Sequence, residues 1–188
     1  FGDADLVVLT VKDGKLVERW RAPHVFMDGQ LAAGNIDGKP GNEIVGCGTD
    51  GTVTAFEGAT GKVLWKSPAT TCAVPAIADL DGDGAPEIIV EGGIFEGKTG
   101  ALAHAYSTPM IGNFAVSDLD GDGKLDIVGS SQAFHGDGVL FASTGAFGYT
   151  YANIRTVPSL PAIADLDRDG KPEVIADYFN QHQLVIWS

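Results

Sequence analysis

Short apolar runs separated by glycine-containing turns set the pattern of this chain. Residues 6–11 and 15–20 are two such runs, joined by Lys12-Asp13-Gly14. An Asp-Gly pair between two apolar runs is a strong β-hairpin signal. The same pattern returns at residues 52–56 and 62–65, around a Thr60-Gly61 turn. The runs are short and follow no helical period, so the pattern predicts an all-β fold.

A second pattern recurs, in which a short apolar strand leads directly into an acidic loop. The loops begin at residues 35, 79, 118 and 165, which gives spacings of 44, 39 and 47 residues. A unit of about four short strands at that period is typical of a β-propeller blade. We expect one β-propeller domain over residues 1–188, with repeats at roughly 1–22 (partial), 23–66, 67–106, 107–157 and 158–188 (partial).

The predicted strand count leaves three architectures open. Residues 1–22 resemble the back half of a repeat, and the last repeat ends on its third strand. Together these strands exceed one four-stranded blade by one. The alternatives are a closed four-bladed ring, an arc of a larger propeller, and a subunit that lends strands to its neighbour. Unpaired terminal strands favour self-association.

The acidic loops carry the chemistry. Residues 79–87 read DLDGDGAPE, residues 118–126 DLDGDGKLD and residues 165–173 DLDRDGKPE. Alternate aspartates with one backbone carbonyl supply the oxygen ligands that Ca²⁺ requires, and glycine at the sixth place allows a sharp turn. An EF-hand is excluded because the twelfth residues are Val90, Gly129 and Ala176. Simple Asp-Gly turns are the remaining alternative, and three copies in one register argue against it.

The loop and its flanking strands resemble the FG-GAP/VCBS repeats of integrin-α-like propellers over nearly the whole chain. The resemblance rests on D-x-D-x-D-G-x-x-[DE] between a Pro-Ala-Ile-Ala strand and a Glu-Ile-Ile-Val strand, followed by a Thr-Gly turn. It implies Ca²⁺ ligands at places one, three, five and nine and a carbonyl ligand at place seven. The implied side chains are Asp79, Asp81, Asp83 and Glu87; Asp118, Asp120, Asp122 and Asp126; and Asp165, Asp167, Asp169 and Glu173. The implied carbonyls belong to Ala85, Lys124 and Lys171.

The loop at residues 35–43 departs from this pattern. Asn35, Asp37 and Glu43 hold places one, three and nine, but Lys39 holds the fifth. A lysine ammonium there can take the place of the cation and pair with Asp37 and Glu43. We therefore expect three calcium sites and none in this loop.

Composition and charge limit the partners. The net charge of −13 disfavours nucleic acid and anionic membranes, and no apolar run is long enough to span a membrane. Extracellular calcium modules bind weakly, with Kd of about 10⁻⁴–10⁻³ M, so millimolar calcium is needed. The chain begins at Phe1 without a methionine or a visible signal peptide, which indicates a processed product or a piece of something longer. We expect an extracellular or cell-surface location.

Cys47 and Cys72 are the two cysteines. Both are predicted away from the acidic loops, between neighbouring blades, where a disulfide suits an exported protein. Two buried free thiols are the alternative. The 25-residue spacing lacks the paired cysteines or histidines of a zinc site.

No motif of a catalytic nucleophile is present. Ser130, Ser131 and Ser159 lack a G-x-S-x-G context. His24, His135 and His182 are predicted in loops without a partner at ligand spacing, and His104 is predicted to be a ring packed between blades. We therefore predict a protein that is not an enzyme.

Three functions remain open. The first is a non-catalytic calcium-stabilised module for extracellular binding, adhesion or assembly. The second is a lectin-like module, in which loop aromatics stack on sugars: Phe134, Phe147, Tyr149, Tyr151 and Tyr178. The third is the propeller part of a polysaccharide lyase, since similar repeats occur in some of those enzymes. The sequence does not identify a protein or glycan ligand.

Overall fold

The chain forms an all-β structure in a computed structural model. The structure describes residues 4–48, 50–69, 71–72, 74–110, 113–129, 132–143, 160–178 and 183–187. These residues form sixteen antiparallel strands in four sheets, and none of them is helical. No helix capable of crossing a membrane therefore occurs in this part of the chain. The prediction of an all-β fold is confirmed.

The chain divides into two compact units by its internal contacts. The first comprises Phe1–Ala78 and Gly84–Ala103, and the second comprises Asp79–Asp83 and His104–Ser188. Each unit contains two sheets. The single domain over residues 1–188 stays a prediction.

The first sheet of the first unit has five strands. Its order follows the chain: β1 (Ala4–Lys12), β2 (Lys15–Gly34), β3 (Glu43–Gly48), β4 (Thr52–Glu57) and β5 (Val63–Pro68). The β1–β2 hairpin turns at Asp13 and Gly14, whose φ angles of 52° and 72° suit the Asp-Gly pair. The beginning of β2 pairs with β1 and its end pairs with β3. The predicted N-terminal hairpin is thereby confirmed.

The other three sheets also follow chain order. The second sheet of the first unit contains β6 (Ala76–Ala78), β7 (Glu87–Val90), β8 (Gly93–Glu96) and β9 (Leu102–His104). The second unit contains a sheet of β10 (Phe114–Ser117), β11 (Asp126–Gly129), β12 (Gln132–Phe134) and β13 (Leu140–Ser143). Its other sheet contains β14 (Ala162–Ala164), β15 (Glu173–Tyr178) and β16 (Gln183–Trp187).

The core of the first unit lies between its two sheets. Val45 and Val53 from one sheet form a continuous apolar cluster with Ile88, Val90 and Phe95 from the other. β7 is buried at all four of its positions, and three of them are the apolar residues Ile88, Ile89 and Val90. Runs of Ile and Val suit this environment, since β-branched side chains pack well in a pleated sheet.

A disulfide joins Cys47 to Cys72, with the two Cα atoms 5.5 Å apart. Cys47 ends β3 inside the core, and Cys72 belongs to the connection between β5 and β6. The acidic loop before β3 lies at the opposite end of that strand. The predicted disulfide is confirmed, and the alternative of two free thiols is wrong.

Two tryptophans attach the last strand of one repeat to a turn of the next. The indole nitrogen of Trp20 donates to the Gly58 carbonyl over 3.0 Å, and that of Trp65 donates to Gly97 over 2.9 Å. Each ring also covers a later glycine of the same turn, Gly61 or Gly100. The first 22 residues thus make the contact that the end of a complete repeat makes.

The packed ring of the second repeat is a tyrosine. Tyr106 packs against Phe134, with ring centroids 5.0 Å apart. His104 was predicted to fill this role, but its side chain is exposed. The prediction for His104 is wrong because the contact is made two residues later in the chain.

Candidate metal-binding site

Each acidic loop connects the first strand of a sheet to the second. Antiparallel pairing brings the loop ends together, as in Ser117↔Asp126 and Ala164↔Glu173. The ninth residue of each loop therefore lies beside the residue that precedes the first. This topology matches the position that the sequence predicted for the loops.

The loop at residues 118–126 is folded by hydrogen bonds from its own backbone. Asp118 accepts from Gly121 N–H over 2.8 Å and from Gly123 N–H over 3.0 Å. Asp120 accepts from Asp122 N–H over 3.0 Å, and Asp126 accepts from Leu119 N–H over 2.9 Å. These bonds hold each carboxylate by one or both oxygens and fix its orientation before any ion binds.

The same bonds recur in the other loops. The third-place side chain accepts from the fifth-place N–H at Asp37, Asp81 and Asp167 over 2.9, 3.0 and 3.1 Å. The ninth-place carboxylate also accepts from the second-place N–H at Glu43 and Glu173, over 2.9 and 2.8 Å. Hydrogen bonds at the third and ninth places therefore recur in loops of different sequence, although the 35–43 loop has Pro40 instead of a left-handed glycine at the sixth place.

The sixth-place glycines adopt the left-handed backbone that the turn requires. Their φ angles are 86° at Gly84, 88° at Gly123 and 92° at Gly170. A side chain at such an angle is strained because its Cβ crowds the backbone. The prediction of positive φ at the sixth place is confirmed.

Three loops bring carboxylate oxygens within 4.8 Å of one another. The groups so placed are Asp79, Asp81 and Glu87; Asp118, Asp120 and Asp122; and Asp165, Asp167 and Glu173. Oxygen atoms bound to one Ca²⁺ at roughly 2.3–2.6 Å lie within about 5 Å of each other. The clusters have the dimensions of a calcium site.

The ninth-place carboxylates of Glu87 and Asp126 are buried, whereas that of Glu173 is half-buried. Relative exposure is 7% at Glu87 and 1% at Asp126. Burial raises the pKa of Asp126, against the opposing effects of the Leu119 N–H and of His135. A buried carboxylate is costly without a compensating positive charge, so this geometry favours a bound cation.

Comparison with known proteins identifies the repeat. Residues 118–176, which contain two of the acidic loops, match the family described as FG-GAP-like repeat. These residues form an FG-GAP-like repeat. The resemblance seen in the sequence is confirmed there. No curated protein sequence matches the chain.

Three solved structures share the fold at low identity. The Vibrio cholerae biofilm matrix protein Bap1 is 16% identical, with a TM-score of 0.73 over 100% of this chain and 38% of its own. The rhamnogalacturonan lyase YesW is 22% identical, with a TM-score of 0.53 over 100% of this chain and 41% of its own. The Bacillus licheniformis rhamnogalacturonan lyase PL11 is 19% identical, with a TM-score of 0.50 over 98% and 41%. The chain spans about two fifths of the length of these proteins.

The loop at residues 35–43 shares hydrogen bonds with the other acidic loops but has a different charge arrangement. Lys39 Nζ lies 2.6 Å from Oδ2 of Asp37. The ammonium group lowers the pKa of Asp37, and the carboxylate raises the pKa of Lys39. Asn35 donates through its amide to the Lys39 carbonyl over 2.6 Å. Lys39 thus supplies a positive charge beside Asp37 at the place where the other three loops carry an aspartate.

His135 lies outside the loop at residues 118–126 and contacts two of its carboxylates. Its Nδ1 lies 3.2 Å from Oδ1 of Asp126 and 3.9 Å from Oδ2 of Asp120. His135 lies in a loop, as predicted, but the prediction that it has no partner at ligand spacing is wrong. The contact follows from the pairing of Ile127 with Phe134, which makes His135 the cross-strand neighbour of Asp126.

The residues proposed for sugar stacking are not supported as a group. Phe134 is fully buried, so the prediction that it is a loop aromatic open to a sugar is wrong. Phe147, Tyr149 and Tyr151 lie outside the described residues, as does the side chain of Tyr178. Ser130, Ser131, Ser159 and His182 lie outside them as well.

Proposed function

We propose that this chain is a calcium-binding, non-catalytic β-propeller module that acts outside cells in adhesion or matrix assembly. The observation that carries the proposal is the shared fold of the acidic loops, which gathers three carboxylates within 4.8 Å in each of three loops. Two of these loops lie in the FG-GAP-like repeat. Calcium fixes the connection between the first and second strands of a repeat.

The donor chemistry favours calcium over softer ions. The three sets consist of carboxylates at places one, three, five and nine with the carbonyls of Ala85, Lys124 and Lys171, and Ca²⁺ prefers such oxygen ligands. The side chains are Asp79, Asp81, Asp83 and Glu87; Asp118, Asp120, Asp122 and Asp126; and Asp165, Asp167, Asp169 and Glu173. The 35–43 loop is excluded because Lys39 supplies the positive charge there.

The location follows from charge and redox chemistry. Three Ca²⁺ ions would reduce the net charge of −13 to −7, which is ordinary for a soluble surface. Weak oxygen-ligand sites fill in the millimolar calcium found outside cells. The Cys47–Cys72 disulfide also forms and persists in oxidising compartments.

The likeness to Bap1, described as a biofilm matrix protein, supports a role in assembly. Repeated small antiparallel sheets in chain order support the propeller arrangement. The structural likeness to the two lyases is weaker, with TM-scores of 0.53 and 0.50 against 0.73 for Bap1. A partner, either protein or glycan, remains to be identified.

Calcium titration of matched variants tests the ion sites. We expect the wild-type chain to bind three Ca²⁺ by isothermal titration calorimetry, and Asp81→Asn and Asp167→Asn each to bind one fewer. Asp13→Asn is the control, because Asp13 lies in the β1–β2 turn away from the loops. Equal stoichiometry in all four proteins would refute the ligand assignment.

Chelation tests the structural role of the ion. An ion that binds only the folded chain stabilises it by about 2.7 kcal/mol at one hundred times its Kd. We expect excess chelator to lower the melting temperature of the wild type, and added Ca²⁺ to restore it. An unchanged melting temperature would contradict a structural role for calcium.

Two assays distinguish a non-catalytic module from an enzyme. Light scattering with and without Ca²⁺ reports self-association, and we expect larger species when the strand edges are ordered by calcium. Incubation with rhamnogalacturonan tests the lyase alternative. Release of cleaved oligosaccharides, lost on mutation outside the acidic loops, would contradict the non-catalytic role.

A further inference from the structure

One repeat carries an imidazole where its neighbours carry a carboxylate. In the first two complete repeats, Glu57 pairs with Glu43 and Glu96 pairs with Glu87 across neighbouring strands. In the next repeat the corresponding pair is His135 and Asp126. The sequence equivalence is direct, because Phe-Glu-Gly at residues 56–58 and 95–97 becomes Phe-His-Gly at 134–136.

The imidazole ring is held in place by packing. It stacks on Phe141 with ring centroids 4.2 Å apart and planes inclined by 15°. The side chain of His135 is 38% exposed, so the ring is largely covered while ions retain access from solvent. A donor restricted in this way loses little conformational freedom when it binds an ion.

The distances suit a mixed nitrogen and oxygen site. His135, Asp120 and Asp126 place their ligand atoms within 4.8 Å of one another. Ligands about 2.0–2.1 Å from a tetrahedral Zn²⁺ lie roughly 3.3 Å apart. The Nδ1 of His135 is 3.2 Å from Asp126 Oδ1 and 3.9 Å from Asp120 Oδ2. Only small side-chain movements are needed for all three atoms to bind one ion.

We propose that this loop binds a first-row transition ion of the Zn²⁺ class through His135, Asp120 and Asp126, in competition with Ca²⁺. Imidazole is a favoured ligand of zinc, nickel and copper, whereas the carboxylate-only loops suit calcium. The inference deepens the proposed function, because it concerns which ion occupies one of its three sites. Ions of the zinc class would then bind the loop at residues 118–126 and not the carboxylate-only loops at residues 79–87 and 165–173.

A purely structural role for His135 predicts a different outcome. In that role the imidazole only hydrogen-bonds Asp126 and orients its carboxylate. Replacing such a histidine would weaken calcium and zinc binding alike, because an orienting residue affects every ion that the carboxylate binds. Direct measurement of zinc and calcium binding therefore distinguishes the two roles.

The experiment titrates Zn²⁺ alone, and then Ca²⁺ alone, into the full chain and matched variants by calorimetry. His135→Gln removes the nitrogen ligand, and His135→Glu restores the residue type of the other repeats. His104→Gln is a control, because His104 is an exposed histidine outside the acidic loops. Asp81→Asn is a second control that alters a carboxylate-only loop. Circular dichroism checks that each variant is folded.

We expect one Zn²⁺ site whose Kd rises at least tenfold in both His135 variants and stays unchanged in the controls, while Ca²⁺ still binds His135→Glu. The factor is the usual range for losing one group of a metal site. Zinc affinity that is absent in the wild type, or equal in the wild type and His135→Gln, would overturn the proposal. Calcium binding without zinc binding refutes this inference alone, whereas zinc binding without calcium binding refutes the proposed function alone.

Discussion

The ammonium nitrogen of Lys39 lies 2.6 Å from Oδ2 of Asp37, in a loop that shares the third-place and ninth-place hydrogen bonds of the other acidic loops. Lys39 occupies the fifth place, where the other loops carry Asp83, Asp122 and Asp169. This ammonium group is part of the Lys39 side chain, so a chelator cannot remove it as it would remove a bound metal ion.

Replacing this lysine is expected to create a fourth calcium site. Lys39→Asp supplies the missing ligand and removes the competing charge, so calorimetry should detect one more Ca²⁺ per chain than in the wild type. Lys39→Ala is the matched control, since it removes the ion pair without adding a ligand. An unchanged calcium count in Lys39→Asp would contradict the role given to this residue.

Reducing the disulfide is expected to destabilise the fold. Closing a loop across the 25-residue separation of Cys47 and Cys72 stabilises a folded chain by about 3 kcal/mol, mainly by restricting the unfolded state. Denaturant unfolding of Cys47→Ala/Cys72→Ala should give a free energy lower by about 2–4 kcal/mol. Wild-type protein measured with and without reductant provides the control. Equal stability in all samples would mean that the bond adds nothing to the fold.

Substitutions at two glycines distinguish the cost of backbone strain from the cost of a packing clash. Gly14 and Gly100 have nearly the same φ, 72° and 71°. A Cβ at Gly14 would meet nothing within 4 Å, whereas one at Gly100 would lie 2.5 Å from the ring of Trp65. We expect Gly14→Ala to cost about 1–2 kcal/mol from the left-handed backbone alone.

Gly100→Ala should cost a further 1–3 kcal/mol or so, because the added methyl group displaces the indole. Chemical denaturation of both variants measures the difference. Similar losses of unfolding free energy in the two variants would show that the Trp65 indole moves aside at little cost.

Glu91 is expected to make stability depend on pH. Burial raises the pKa of this carboxyl group above its ordinary value. The folded state therefore holds the proton more tightly than the unfolded state, and the added stability is present below the ordinary pKa. It is lost as the pH rises through the raised pKa.

Glu91→Gln removes this dependence, so the variant should gain stability relative to the wild type as the pH rises from 4 to 7. Unfolding free energies in calcium-free buffer across that range provide the test. A constant difference between the two proteins would contradict the assigned burial effect.

The sequence was sufficient for features set by local spacing. The acidic loops, the Asp13-Gly14 hairpin and the left-handed glycines each depend on the residues of a single loop or turn, and each was located correctly. The contact of His135 with Asp126 was missed because it depends on the register between two strands. Aligning the repeats at Phe56, Phe95 and Phe134 provides the signal, since it places His135 where the others have glutamate.

Side-chain exposure was less predictable than strand position. Phe134 was considered as a surface aromatic, yet it is buried against Tyr106. His104 was predicted to pack and is exposed. Both errors fall at the ends of short strands, β9 at His104 and β12 at Phe134, where the neighbouring elements and not the repeat spacing decide which ring is covered.

The side chains of Ile36 and Leu80, each the second residue of an acidic loop, pack against a turn of the repeat that follows. A Cβ at Gly97 would lie 3.1 Å from Cβ of Ile36, and one at Gly136 would lie 3.1 Å from Cβ of Leu80. Ile36 and Leu80 are 1% and 3% exposed, although the residues beside them are polar.

The two contact pairs overlap along the chain, because residues 36–97 and residues 80–136 share residues 80–97. A chimaera with a single junction anywhere from residue 37 to residue 136 therefore separates at least one acidic loop from the glycine that it contacts. Exchange of one sheet alone requires the residues on both sides of this contact to match.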